Sequence, residues 1–105
     1  MLSPPVPIAM VHYVYLLECS DDRGSFYIGY TTDLARRIEE HNAGEGAKYT
    51  RGRAPVAVRY VELWDSQGAA MSREYDLKQR SRVQKEQLVP DRSDRVGIAF
   101  RIGER

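Results

Sequence analysis

The sequence predicts an α/β domain of the α+β kind: a small three-stranded, mostly antiparallel sheet flanked by helices, in the order β-β-α-β-α with a further short helix. Three observations carry this. Two short segments rich in tyrosine and aliphatic residues, His12–Glu18 and Ser25–Tyr30, are separated by a compact polar turn. Two later segments space their apolar residues at helical intervals. Between them, Val56–Trp64 (VAVRYVELW) alternates as a strand does.

Each element has a local cause. His12–Glu18 (HYVYLLE) is built of good strand formers. Period-two geometry puts Tyr13, Tyr15 and Leu17 on one face and Val14 and Leu16 on the other. The turn Ser20-Asp-Asp-Arg-Gly24 has the composition of a reversal, and the pair reads as a hairpin. In the second strand Tyr27 and Gly29 share a face opposite Phe26, Ile28 and Tyr30. Thr31-Thr32-Asp33 offers a cap for a helix whose Leu34 and Ile38 face the core. Gly44 suits the residue just past its end. Residues from Gly44 to Pro55 form a loop carrying Lys48, Tyr49, Arg51 and Arg53. Ala69–Ser81 is the strongest helix, with Ala70, Glu74 and Leu77 on its seam and Met71 and Tyr75 beside it. Arg82–Leu88 continues it or forms a short helix of its own, ended by Pro90. Val96–Ile102 is a short strand or a tail.

A chain of 105 residues with 42% hydrophobic and 30% charged side chains is one globular domain and not a disordered one. We expect a flexible leader at 1–10, a domain at 11–89 and a C-terminal tail at 90–105. The single cysteine, Cys19, excludes an internal disulfide and a multi-cysteine zinc site, and fits a cytoplasmic setting. The apolar runs are too short to cross a bilayer, so no membrane partner is expected.

Net charge is only +1, but it is unevenly spread. From His12 to Leu34 there are four acids and one base. From Ala35 to Tyr60 there are six bases and three acids, and from Met71 to Lys85 five bases and two acids. Such a surface is compatible with a local phosphate-binding patch.

Several residues have side chains suited to chemistry. Glu74 interrupts an apolar helix seam, so it either pairs with Arg73 or Lys78 or holds a divalent cation. Arg37 and His41 are four apart on one helix face. A guanidinium matches a phosphate, and an imidazole moves protons near neutral pH. Tyr15 and Tyr27 lie on adjacent strands, as packing rings or as a phenolic general base. Gly29 marks a bulge or a place where substrate or another group comes close. Lys48, Tyr49, Arg51 and Arg53 interleave bases with a ring, as nucleic-acid-binding loops do.

Taken in order, these residues resemble the GIY-YIG nuclease superfamily. Tyr13-Val14-Tyr15 stands where the family has its first tripeptide, and Tyr27-Ile28-Gly29 matches the second. Arg37 falls at the arginine position with His41 four residues on, and Glu74 falls at the metal-binding glutamate. The resemblance covers about residues 11 to 89 and is closest to small single-domain bacterial members, similar to the nuclease domains of a resolvase subunit and of excision repair. It implies a Mg²⁺-dependent DNA endonuclease, with Mn²⁺ as a substitute, acting in DNA repair or recombination. In that scheme Glu74 holds the metal, Arg37 stabilises the phosphate, Tyr15 or Tyr27 activates water, and His41 orients or relays the proton. Branched and single-stranded DNA are among the candidate substrates, and a protein partner is a candidate source of specificity.

Two departures stand out. Tyr13 replaces the name-giving glycine, and Glu86 falls near the place where several family nucleases have asparagine. Two other readings follow: a nucleic-acid-binding module with little or no catalysis, and a protein-interaction adaptor using the tyrosine-rich sheet.

Overall fold

Four strands and three helices follow from these local signals in the computed structural model, which describes residues 11–91 and 95–101. The expected leader lies outside the described residues, as do 92–94 and 102–105 of the expected tail. In chain order the elements are β1 (His12–Glu18), β2 (Phe26–Thr31), α1 (Leu34–Asn42), β3 (Ala57–Trp64), α2 (Gln67–Lys78), α3 (Arg82–Glu86) and β4 (Gly97–Phe100). A single 3-10 turn, Lys48–Thr50, lies in the loop before β3.

The sheet order is β2-β1-β3-β4. β1 is central and antiparallel to both β2 and β3. The expected count of three strands is corrected by one. Gly97–Phe100 pairs in parallel with β3, Tyr60 opposite Gly97 and Leu63 opposite Phe100. Parallel strands need a long crossover, and α2 and α3 supply it. Of the two readings of Val96–Ile102, strand and tail, the strand holds for Gly97–Phe100, within the span expected as the C-terminal tail.

β1 reads as anticipated. Val14 and Leu16 pack with Ile28, Tyr60, Ala70 and Leu77 on the α2 face. Tyr15 and Leu17 pack with Val61 on the α1 face, where Leu34 and Ile38 lean in. In β3 the alternation slips once. Leu16 faces Tyr60 but Leu17 faces Val58, leaving Arg59 as the extra residue of a bulge. Val58 and Val61 thus share the α1-side core despite odd spacing. Arg59 turns to the Glu18 carboxylate and donates to the Pro90 carbonyl at 2.9 Å.

The helices are held at their ends. Asp33 caps α1 by accepting from the Arg36 amide at 3.2 Å, and Gly44 follows the helix at φ +76°. Ser66 caps α2. Ser81 and Gln84 form a capping box, which makes α3 a separate helix rather than a continuation of α2. Met71 and Tyr75, expected beside the apolar seam, are exposed, Tyr75 by 69%. The seam is narrow, carried by Ala70 and Leu77.

The carboxylate that this core does bury is Glu62 on β3, at 0% exposure. It accepts from Tyr60 at 2.6 Å, Trp64 at 3.0 Å and both Nε and Nη2 of Arg73 on α2. These donors hold Glu62 below the usual carboxylate range against the opposing effect of its burial. Arg73→Met leaves a buried charge short of its main donor. We expect a loss toward the lower end of about 3–5 kcal/mol, since Arg73 is partly open to water. Pairing it with Glu62→Leu recovers most of that loss. Urea unfolding of the single and double variants checks both.

Candidate active site

Tyr15 is the first part of the site to be fixed. It faces Gly29 across the β1–β2 ladder. A Cβ at Gly29 would lie 2.3 Å from the Tyr15 hydroxyl and 2.4 Å from Cζ. The missing side chain is therefore what lets the phenol lie over β2, the edge strand of the sheet. Gly29 is a close-approach position, as expected of one reading, and the group approaching is the Tyr15 ring. The bulge considered for Gly29 lies instead at Leu16/Leu17.

From α1, His41 meets this phenol. It is 0% exposed, and its Nε2 lies 3.0 Å from the Tyr15 hydroxyl. Its Nδ1 lies 2.7 Å from Thr50 Oγ1. The Thr50 hydroxyl spends its only proton on the Ala47 carbonyl at 3.0 Å. Thr50 can then only accept from His41, so Nδ1 carries the proton. In neutral imidazole Nε2 is left as an acceptor, and Tyr15 donates to it. Burial, reinforced by the nearby Arg37 charge, lowers the His41 pKa below its ordinary 6.5, so the ring is neutral at neutral pH. The Tyr15 phenol is pushed up to about 12, mainly by burial and with added effect from Tyr27 and Glu74.

Arg37, one turn before His41, donates to Glu40 at 3.1 Å and lies close enough to the Tyr15 phenol to oppose the upward push of burial on it. Tyr27 lies beside the pair, its ring 5.3 Å from that of His41 and 6.4 Å from that of Tyr15. On its other side it stacks on Tyr49 at 6.0 Å. Glu74 comes from α2, across the sheet, and its charge is felt at the Tyr15 phenol. It keeps 19% side-chain exposure and lies 3.7 Å from Lys78, so it is less dry than its seam position implied. Tyr15, Tyr27 and His41 thus meet at the β2 edge, with Arg37 and Glu74 near enough for their charges to act on the Tyr15 phenol.

The basic loop is only partly free. Lys48 and Arg51 are exposed. Arg53 is held by Asp21 at 3.3 Å and lies over the Tyr49 ring at 4.3 Å. Asp21 is itself kept ionised, first by hydrogen bonds from Ser25. Glu86 is exposed on α3 and paired with Arg82 at 2.9 Å. Tyr13 sits in ordinary strand geometry, since no described non-glycine residue has positive φ. Nothing here requires the glycine it replaces.

Two site residues escaped the sequence. Thr50 fixes the His41 tautomer but looks like any loop threonine. Gly46 makes room for the imidazole, since a Cβ there would lie 2.5 Å from Nδ1. Its only sequence signal is membership of a glycine-rich loop.

An arginine paired with Glu40, two phenols, a neutral imidazole and the separate carboxylate of Glu74 suit a class of domain that handles a phosphate ester. Among the described residues no group of three or more His, Cys, Asp or Glu side chains forms a metal cage. One carboxylate does fit Mg²⁺, which is content with water and phosphate oxygens for its other ligands.

The comparisons make the class specific. The GIY-YIG catalytic domain matches residues 11–87, and the chain belongs to this nuclease family. It is similar to a UPF0213 protein of Halobacterium salinarum, 62% identical over 78 residues, which are 74% of this chain and 99% of that one. A UPF0213 protein of Streptococcus pneumoniae is 52% identical, over 84% of this chain and 87% of its own length. A solution NMR structure, protein EF2693 from E. faecalis, superposes with a TM-score of 0.52 at 47% identity, over 73% of this chain and 80% of that one.

The lowered pKa of His41 has a consequence for stability. Between its folded value and 6.5 the unfolded chain binds a proton that the folded chain does not. Stability from this group is therefore complete above pH 6.5 and is lost as pH falls through the folded value. We expect chemical unfolding to show that loss, and His41→Gln to flatten it over the same window. An unchanged slope in the variant contradicts the assignment.

Proposed function

We propose that this protein is a Mg²⁺-dependent endonuclease that hydrolyses a phosphodiester bond in DNA. The observation that carries the reading is the hydrogen bond from Tyr15 to Nε2 of His41, in a cluster with Arg37 and Glu74.

Glu74 would hold the metal, which when bound stabilises the negative charge growing on the leaving oxygen. Tyr15 is the general base in this reading. A phenol with a pKa pushed up to about 12 is protonated at neutral pH and cannot take a proton unaided. Its own proton, however, already points at a neutral acceptor. As water attacks phosphorus, its proton passes to the Tyr15 oxygen while the Tyr15 proton passes to Nε2. Concerted transfer avoids a lone phenolate, and the positive charge it leaves on His41 is balanced by the negative charge gathering on the phosphate. Arg37, whose charge acts on the Tyr15 phenol, would stabilise the charge on the pentacovalent phosphate. Tyr27 packs against the imidazole and keeps the ring in place. Mn²⁺ would substitute for Mg²⁺. A role in DNA repair or recombination in the cytoplasm, on branched or single-stranded DNA and with a protein partner for specificity, is the setting we propose.

The adaptor reading has less support, because the tyrosine face is not open: Tyr15 is buried beneath α1. The binding-module reading predicts DNA retention without cutting.

Cleavage of labelled DNA with Mg²⁺, Mn²⁺ or EDTA distinguishes them. Glu74→Gln and Arg37→Ala should each lower the rate by about 10²–10³-fold. Both residues are partly exposed, so the melting midpoint should stay within a few degrees. Tyr15→Phe should cost far more than Tyr27→Phe. Equal losses for the two tyrosine variants would defeat the relay, and wild-type cutting by Glu74→Gln would defeat the metal site.

A further inference from the structure

Beside the site, between the β1–β2 turn and α3, lies a cavity of about 370 Å³. Phe26 and Tyr49 line it with four bases, Arg23, Arg53, Arg82 and Lys85, and one acid, Asp21. Its lining charge is therefore 4 − 1 = +3, in a chain whose net charge is only +1. A smaller cavity of about 160 Å³ adjoins it, sharing Phe26, Tyr49 and Lys85 and adding Tyr27, Ile28 and Lys78. Tyr27 belongs to the active-site cluster, and Lys78 pairs with Glu74. The two cavities form one path that leaves the active site along β2 and ends at Arg23.

The bases differ in how they are held. Arg53 is tied to Asp21, and Arg82 to Glu86 and to the Gly24 carbonyl at 2.9 Å, with its guanidinium 4.2 Å over Phe26. These two shape the walls. Among the described residues no carboxylate pairs with Lys85 or Arg23. Lys85 is half-buried, and that burial pulls its pKa below the ordinary lysine value with no anion to offset it. A partly desolvated cation without a counter-ion, in a concave and strongly positive site, calls for an anion from outside.

We propose that this cleft is a second phosphate-binding site, which holds the nucleic-acid strand on one side of the bond to be cut, with Lys85 and Arg23 as its direct phosphate contacts. The inference rests on the nuclease reading for its ligand, and it adds a binding role for Arg23, Arg82 and Lys85 that the catalytic cluster does not require. Backbone contacts of this kind position a strand without reading its sequence. Lys85, lining both cavities, would set the register between the held phosphate and Glu74.

The test is binding in EDTA, where no cutting occurs. Fluorescence anisotropy of a short labelled DNA strand is followed against KCl for the wild-type protein, Lys85→Ala, Arg23→Ala and the double variant. Each lost phosphate contact should lower the slope of log K against log salt by about 0.7, and the double variant's by about 1.4. Mg²⁺-dependent cleavage by the same variants is followed separately. Binding in EDTA tests the cleft, and cleavage tests the catalytic reading. Wild-type slopes in Lys85→Ala and Arg23→Ala would overturn the cleft and leave the nuclease standing. A labelled mononucleotide bound as tightly as the strand would also overturn it, by marking a closed nucleotide pocket. Arg23 is exposed on a turn, so its variant carries the test if Lys85→Ala changes the melting curve.

Discussion

The chain of hydrogen bonds from Tyr15 through His41 and Thr50 to the Ala47 carbonyl is the constraint on which the site depends. It joins the central strand, the first helix and the loop before β3. Every member is buried or turned inward, so each polar atom must find its partner within the protein. Direction follows from counting protons. Thr50 has one to give and gives it to the backbone, which sets the imidazole tautomer and then the orientation of the phenol. Space follows from two glycines. Gly29 admits the Tyr15 ring and Gly46 admits the His41 ring. Arg37 and Glu74 are then placed around a phenol that is already fixed.

Placing this assembly at an edge strand has a functional logic. β2 has a neighbour on one side only, so groups from both faces of the sheet can reach its open side. The smaller cavity displays this: Tyr27 from one face and Phe26 and Ile28 from the other line the same space. An α1-side base and an α2-side carboxylate can meet there without crossing the core. Edge strands are otherwise a liability, and here the bases and the 3-10 loop beside β2 leave no flat apolar edge for another strand to pair with.

Much of this was legible in the sequence because it is local. The alternation of His12–Glu18 gave the faces of β1, and Asp33 and Gly44 bounded α1. Arg37 and His41 share a face by spacing alone. What was not legible is non-local or geometric. Val96–Ile102 could be read as a strand or as a tail, and what was hidden is the pairing of β4, whose partner lies more than thirty positions away with no hairpin turn to announce it. The bulge at Arg59 broke the period of β3 without leaving a glycine or proline as a mark. Glu74 looked like the buried carboxylate because helix spacing put it on a seam. Glu62, the carboxylate that is fully buried, sits in a strand where alternation hid it between Val61 and Leu63. Charge misled in a similar way. The path along β2 draws Arg23 from the acidic first segment, Arg53 from the loop and Lys85 from α3, so no sequence window showed it. Thr50 left no signal at all, since its importance lies in where its one proton goes.

The most direct test of the account is the protonation of the His41 ring, read by long-range proton–nitrogen NMR at neutral pH. The hydrogen-bond chain requires a neutral imidazole with the proton on Nδ1 and a bare Nε2 accepting from Tyr15. A spectrum with Nδ1 protonated and Nε2 at the position of an unprotonated ring nitrogen supports proton transfer from Tyr15 to His41. A proton on Nε2, or a fully protonated ring, would mean that Tyr15 has no acceptor there and would contradict the relay.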